Sequence, residues 1–159
     1  MARSIAVGFV CLTLFGCGKK NDADKVVMVD DNDAAMNSAI AKARETVGTF
    51  VQALKSPKAG QRGFAVKFAI KDKNGTEHFW VTEVTFDGTK FRGKINNEPE
   101  IVKTVKFGQM VSDDKSHISD WMYIEGGKLV GGYTIRVLRD KLSAQERADF
   151  DRGVPFKFD

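Results

Sequence analysis

The stretch "DDKSHISD" places Asp113, Asp114, His117 and Asp120 within eight residues. Carboxylates and an imidazole can bind a divalent metal, or divide acid and base roles in a hydrolysis. On a helix, positions 113, 117 and 120 would share a face. The stretch reads instead as a polar loop, because Asp, Ser and Lys are common turn residues. His78, beside Trp80 in "EHFWV", offers a second grouping. An aromatic face, an imidazole and nearby cations could form a ligand platform, or a cross-strand packing pair. The third grouping is Asp120, Trp121 and Tyr123 set against Thr134 and Arg136, with Gly-Gly pairs between them. Arg136 could pair with Asp120 or hold a carboxylate or phosphate in a fork. The same residues could equally be buried, with their N–H and O–H groups satisfied inside the fold. These seven (His78, Trp80, Asp120, Trp121, Tyr123, Thr134 and Arg136) are the candidate binding residues.

The elements that must position them follow from periodicity. Asn32 or Asp33 can cap a helix whose apolar residues Met36, Ile40, Ala43, Val47, Phe50 or Val51, and Leu54 recur every three to four positions. The pattern predicts a helix over 33–55, stopped by Ser56-Pro57. In "FAVKFAIKDKNGTEHFWVTEVTF" the residues Phe64, Val66, Phe68 and Ile70 alternate with Ala65, Lys67, Ala69 and Lys71. Asn74-Gly75 reads as the hairpin turn, with Ile70 facing Phe79 and Phe68 facing Val81. One sheet face is then apolar, and the other carries Lys67, Lys71, His78, Trp80 and Thr82. A three-residue loop with Gly88 at a left-handed bulge brings Phe91 and Ile95 to the apolar face, and Arg92 and Lys94 to the other. "WMYIEGGKLVGGYTIRVL" reads as a second hairpin turning at Gly126-Gly127, with a bulge or close backbone approach at Gly131-Gly132. Ser143 and Glu146 have capping-box spacing ahead of a short helix. The expected fold is α+β, a long N-terminal helix on a curved antiparallel sheet of five or six short strands. The order is similar to cystatin-like or nuclear-transport-factor-like folds, with an SH3-like barrel as the alternative.

Composition and the N-terminus bound the class and place. Apolar residues are 42%, charged residues 29%, and net charge is +4, ordinary for one globular domain. The cationic excess is small and not gathered in one block, so no nucleic-acid partner is expected. The two cysteines, Cys11 and Cys17, lie before the body of the domain, which therefore has no disulfide or thiolate nucleophile. Neither a metal nor a cofactor is expected, and no P-loop, Gly-x-Ser-x-Gly or His-Glu-x-x-His motif occurs. "MARSIAVGFVCLTLFGC" has one early cation, Arg3, and an apolar run from Ile5 to Phe15. That run is too short to span a bilayer but has the length of a signal-peptide core. Leu14-Phe15-Gly16-Cys17 resembles a bacterial lipoprotein signal, with Phe15 bulkier than usual. The resemblance implies cleavage before Cys17 and acylation of its sulfur, which would anchor the chain on the periplasmic face of a membrane. Gly18 lacks the aspartate of inner-membrane retention, which favours the outer membrane where there is one. The expected organisation is a signal peptide (1–16), a lipidated cysteine with a polar tether (17–32) and one globular domain (33–159).

From Phe64 to Leu142 the chain resembles the YegJ-like family of bacterial proteins, a domain of unknown function. The pieces that carry the resemblance are "EHFWV", "GKINNEP", "VKFGQMV" and above all "ISDWMYIEGGKLVGGYTIRVL". The resemblance brings no established activity, so no catalytic residue is carried over. The expected function is a lipid-anchored, non-enzymatic binding or accessory protein of the cell envelope, with a protein or polymer partner. The alternatives are a small envelope hydrolase using His117 with neighbouring Asp residues, and an immunity or inhibitor protein.

Overall fold

A computed structural model describes residues 33–159, together with the backbone of two short strands, β1 (Ser4–Gly8) and β2 (Val26–Asp30). Cys17, the segment Leu14–Cys17 and most of the expected tether lie outside the described residues. From residue 33 the order is α1 (Ala34–Lys55), β3 (Gln61–Asp72), β4 (Gly75–Phe86), β5 (Lys90–Ile95), β6 (Met110–Asp114), β7 (Ile118–Glu125), β8 (Lys128–Gly131), α2 (Tyr133–Asp140) and α3 (Ala144–Gly153). Strands β3 to β8 form an antiparallel sheet in the order β6-β5-β4-β3-β7-β8. β1 pairs antiparallel with β2 and runs parallel to the first part of β4. The class is α+β.

Helix α1 begins where the periodicity placed it. The Asp33 side chain accepts from the Met36 amide at 3.0 Å, which satisfies one free donor of the first turn. Of its buried residues Met36, Ala39, Ala43 and Phe50, the last two pack on the sheet, while Met36 meets Leu138 of α2. Phe50 is the hub of an aromatic core, 5.6 Å between ring centres from both Phe91 and Trp121. The short helix expected after the second hairpin is also present: Ser143 and Glu146 make the reciprocal capping box that opens α3.

Three local expectations are corrected. The first hairpin turns one residue earlier, on Lys73-Asn74, pairing Asp72 with Gly75, Phe68 with Phe79 and Val66 with Val81. The Asp72 carboxylate accepts from the Asn74 amide at 2.7 Å and so closes the turn on itself, as Asx turns do. A shift of two in the pairing sum leaves every side chain on its expected face. Phe91 and Ile95 do join the apolar face, but the register change lies at Glu83, not in the loop at Gly88. The pairing jumps between Thr82 and Thr85, and Glu83 takes φ +51°, a bulge inside β4.

The third correction is the largest. "YTIRVL" is not the return strand of the second hairpin but helix α2. Its Tyr, Thr, Ile and Val favour strands, and the backbone overrides them. Gly131 and Gly132 both take left-handed φ, +74° and +63°, and turn the chain out of the sheet. A Cβ at Gly131 would lie 2.3 Å from the Trp121 carbonyl oxygen. The expected close approach of backbone at this Gly-Gly pair is therefore real. The sheet face that carries Trp80 is consequently covered: Trp80 packs with Ala65, Met122, Ile124 and Leu129, under Ile135 of α2 and Phe156 of the C-terminal segment.

The two outer edges of the six-stranded sheet differ. Along β8 the C-terminal segment closes the edge: Leu129 donates to the Lys157 carbonyl at 3.0 Å and Lys157 donates to the Gly127 carbonyl at 2.9 Å. Among the described strands, β6 pairs with β5 alone.

Strain at a left-handed position and the overlap with Trp121 act together in Gly131→Ala. We expect the substitution to lower stability by about 2–4 kcal/mol, read as a fall in urea midpoint with an unchanged slope. A loss below about 0.5 kcal/mol, the range of an ordinary surface change, would show that the Gly131 backbone is not held as described.

Candidate functional site

β3 is an inner strand, and its Lys67 stands between Trp80 of β4 and Asp120 of β7 in the pairing register. Lys67 and Asp120 are both fully buried. They do not touch directly. The Lys67 ammonium donates to the Thr134 hydroxyl at 2.9 Å, and that hydroxyl donates to Asp120 Oδ2 at 2.6 Å. The carboxylate also accepts from the Trp121, Tyr133 and Thr134 amides at 2.8, 3.1 and 2.8 Å. Three amides and a hydroxyl that itself accepts from the Lys67 ammonium surround the carboxylate, contacts that favour its charged form. Burial pushes the Asp120 carboxyl up, opposed by the Lys67 charge. Burial lowers Lys67 to about 8, with Asp120 acting the other way.

The arrangement has a clear structural task. Helix α2 begins at Gly132, which has no side chain to cap it. Asp120 supplies the cap from a neighbouring strand, and its charge lies at the positive end of the helix. Glu77, also buried, does the same for a loop: its carboxylate accepts from the Glu100, Ile101 and Val102 amides between 3.0 and 3.2 Å.

His78 lies on the same face. Its Nδ1 is 2.8 Å from the Ser119 hydroxyl, which in turn donates to the Lys67 carbonyl at 3.3 Å. Burial, with the charges of Lys67 and Arg44, lowers the imidazole to about 3, so it is neutral across the physiological range. Trp80 is buried beneath the Lys67 ammonium, 4.7 Å from the ring centre. Its indole N–H has no partner among the described residues.

The other candidates lie elsewhere. Trp121 is on the opposite face in the aromatic core, its indole N–H donating to the Ala43 carbonyl at 2.9 Å. Tyr123 stacks on Phe64 with ring centres 5.1 Å apart. Arg136 does not pair with Asp120: its guanidinium donates to the Gly131 and Leu129 carbonyls at 3.1 and 2.9 Å, and it lies 3.6 Å from the Asp159 carboxylate. The seven residues thus divide into a buried polar chain (His78, Trp80, Asp120, Thr134), an aromatic core (Trp121, Tyr123) and a half-buried clasp (Arg136). The expected polar loop is instead the end of β6, one short turn and the start of β7, and its residues divide too. His117 is exposed, with Nδ1 2.8 Å from Asp113. Asp114 accepts from the Ser116 amide and hydroxyl, and Asp120 is inside the protein. Among the described residues no group of three or more His, Cys, Asp or Glu side chains is placed to hold a metal ion.

Sequence reasoning passed over Lys67, Glu77 and Ser119. The available signal was topological. A lysine midway along the strand that links two hairpins is flanked on both sides, and cannot reach water as an edge lysine can.

With these positions fixed, the chain can be set beside known proteins. The model of a family of uncharacterised proteins conserved in bacteria, DUF2314, matches residues 33–158, nearly the whole described domain. The chain belongs to that family. It is 42% identical over 113 residues to the uncharacterised protein YegJ of Escherichia coli (strain K12), covering 71% of this chain and 72% of that protein. It is 37% identical over 82 residues to a putative ankyrin repeat protein of Neisseria meningitidis serogroup B, covering 50% of this chain and 32% of that protein. The chain therefore spans about a third of the length of the ankyrin relative. No solved structure matches. The DUF2314 match begins at Asp33, the α1 cap, and ends within the segment that closes β8.

Two expectations test the polar chain. Asp120→Asn leaves a buried ammonium without its counter-charge and should cost about 3–5 kcal/mol. Lys67→Met in the same chain should recover part of that loss, so a double-mutant cycle in urea should show coupling above about 1 kcal/mol. Additive losses would mean that the two charges do not depend on each other. For His78 the folded value lies below the unfolded value of 6.5, so the unfolded chain binds more protons between about 3 and 6.5. Stability should fall as pH drops through that window. His78→Gln should flatten this part of the curve of denaturation free energy against pH; an unchanged slope would place the acid sensitivity elsewhere.

Proposed function

We propose that this member of DUF2314 is a lipid-anchored, non-enzymatic binding protein of the bacterial cell envelope. One observation carries the binding part of the reading. The side chains from which a reaction could most readily be built, Asp120, Thr134 and His78, are buried and engaged in holding α2 and the sheet together. The exposed surface instead offers apolar and cationic groups, Phe107 and Met110 near Arg92 and Lys106. The ankyrin relative supports the same reading, since ankyrin repeats stack into extended binding surfaces and a segment like this one belongs to that protein. Helix α1 lying on β7 favours a cystatin-like or nuclear-transport-factor-like layering over a small barrel.

The anchoring part rests on Leu14-Phe15-Gly16-Cys17 and on the polar stretch that separates Cys17 from the α1 cap. Acylation with more than one chain holds a protein stably at a bilayer. Cleavage before Cys17 would remove β1 and leave the family domain intact, since the match starts at residue 33. A second reading, a small hydrolase, has the exposed His117–Asp113 pair in its favour, and His117→Ala would abolish any turnover it supports.

The test is metabolic labelling with a palmitate analogue in a bacterial host, beside membrane fractionation. The native chain should take up label and sediment with membranes. Cys17→Ser should lose the label and move to the soluble fraction. Unlabelled native protein, or a Cys17→Ser chain that stays with membranes, would overturn the anchor.

A further inference from the structure

We propose that the outer edge of β6 is a strand-addition site for an extended, acidic and apolar segment of a partner protein. The inference rests on the binding reading above and gives it a surface and a partner chemistry. β8 is closed by the chain's own C-terminal segment, whereas among the described strands β6 has β5 on one side only. The ladder fixes which groups face outward. Ile95 donates to the Gln109 carbonyl and Lys115 donates to the Thr89 carbonyl. Hydrogen-bonded pairs alternate in an antiparallel ladder, so Val111 and Asp113 bond to β5 while Met110, Ser112 and Asp114 point away from it. The Asp114 amide is already held by the Asp113 carboxylate at 2.7 Å. Met110 and Ser112 are left offering amide and carbonyl groups to a further strand.

Natural sheets blunt such edges with charged side chains, above all lysine, with proline or with a bulge; the two aspartates of β6 lie at its far end, Asp113 held by His117 and Asp114 by Ser116. "MVSDD" has no lysine or proline, and its pairing with β5 runs without interruption. Among the described residues, Phe107 and Met110, 54% and 44% exposed, are the large hydrophobic residues left open to water, and both flank this edge. Charge selects the occupant. Arg92 stands opposite Ser112 and Lys94 opposite Met110, and Lys106 precedes Phe107. Lys94 is paired with Glu83 at 2.7 Å, so Arg92 and Lys106 are the cations that a carboxylate on the incoming strand would meet. At the far end Lys90 is already opposite Asp114. Met110, Ser112, Arg92 and Lys94 share one face of the ladder, so a partner strand whose residues on that face, two apart, are apolar and acidic in turn would pack on Met110, meet Arg92, and receive main-chain bonds from residues 110 and 112.

The test uses the full chain purified from membranes in detergent, and a fluorescein-labelled peptide of sequence Asp-Thr-Val-Thr-Glu-Thr-Ile-Thr, which carries acidic and apolar residues in turn on one face. Anisotropy should show saturable binding that weakens with salt, and amide exchange should slow at Met110 and Ser112. The same peptide with lysine for every acid, or N-methylated at alternate amides, should bind at least about tenfold more weakly. Ser112→Pro should do likewise with an unchanged melting temperature, because the amide it removes faces away from β5. If that variant does not fold, the methylated peptide decides the matter by itself. Equal binding of acidic and basic peptides, protection at another strand, or self-association of the chain that Ser112→Pro abolishes would each overturn the inference. Protection of Phe107 and Met110 by phosphatidylglycerol vesicles, with the peptide inert, would overturn it in favour of a lipid surface. A partner crosslinked at a different face, with β6 unprotected, would remove this site and leave the binding reading standing. Turnover lost in His117→Ala would remove that reading without touching the edge result.

Discussion

Asp120 gathers the amides of three residues and one hydroxyl around a single buried carboxylate, and much of the domain's shape depends on that contact. Without it helix α2 would begin at a glycine with unsatisfied donors facing an apolar layer. The carboxylate in turn needs a counter-charge, because an isolated buried ion is far too costly. Lys67, one strand away, supplies it through Thr134. The ammonium then lies on the Trp80 ring, so the indole plane is fixed as well. A helix, three strands and an aromatic side chain are thus positioned by one chain of polar contacts. Hydrophobic burial supplies most of the driving force for folding, but the apolar layer has no direction of its own. The polar chain says where α2 must start.

The same logic accounts for Glu77. It holds the three successive amides of Glu100, Ile101 and Val102, where "NNEPE" ends and the chain turns back against the sheet. Val102 follows into the core beside Phe79 and Ile95. Two buried carboxylates therefore take a part that side-chain packing takes elsewhere, which explains why acidic residues occur in otherwise apolar strands.

Much of this was legible in the sequence where local rules act alone. The period of α1, its Asp33 cap, the Ser143–Glu146 box and the faces of β3, β4 and β5 all follow from spacing. What was not legible came from two sources. The first was compensation between local irregularities: a bulge at Glu83 and a turn one residue early produce the same faces as a different loop would, and a face pattern cannot separate them. The second was long-range override. "YTIRVL" has the composition of a strand, and only a carboxylate thirteen residues earlier, beyond two left-handed glycines, makes it a helix. The roles of the candidate residues were hidden for the same reason. Asp, His, Thr and Trp in one short motif look like chemistry, because the residue types that hold a buried helix end are those that hold a substrate. The family match begins at Asp33, which is also the structural start of α1.

The C-terminal segment along β8 has a consequence for how the molecule behaves when it is cut. Taken by itself, the six-stranded unit β3 to β8 has one bare outer edge, where it can add one partner and then stop; two copies meeting edge to edge there close on themselves. Removing the residues after Pro155 would expose a second edge on the same sheet. A body with two open edges has no natural stopping point, and copies can add end to end without limit. The lengths of chain that decide between a finite complex and a growing fibre are thus the few residues around Lys157, whose side chain is exposed but whose backbone is a selvage.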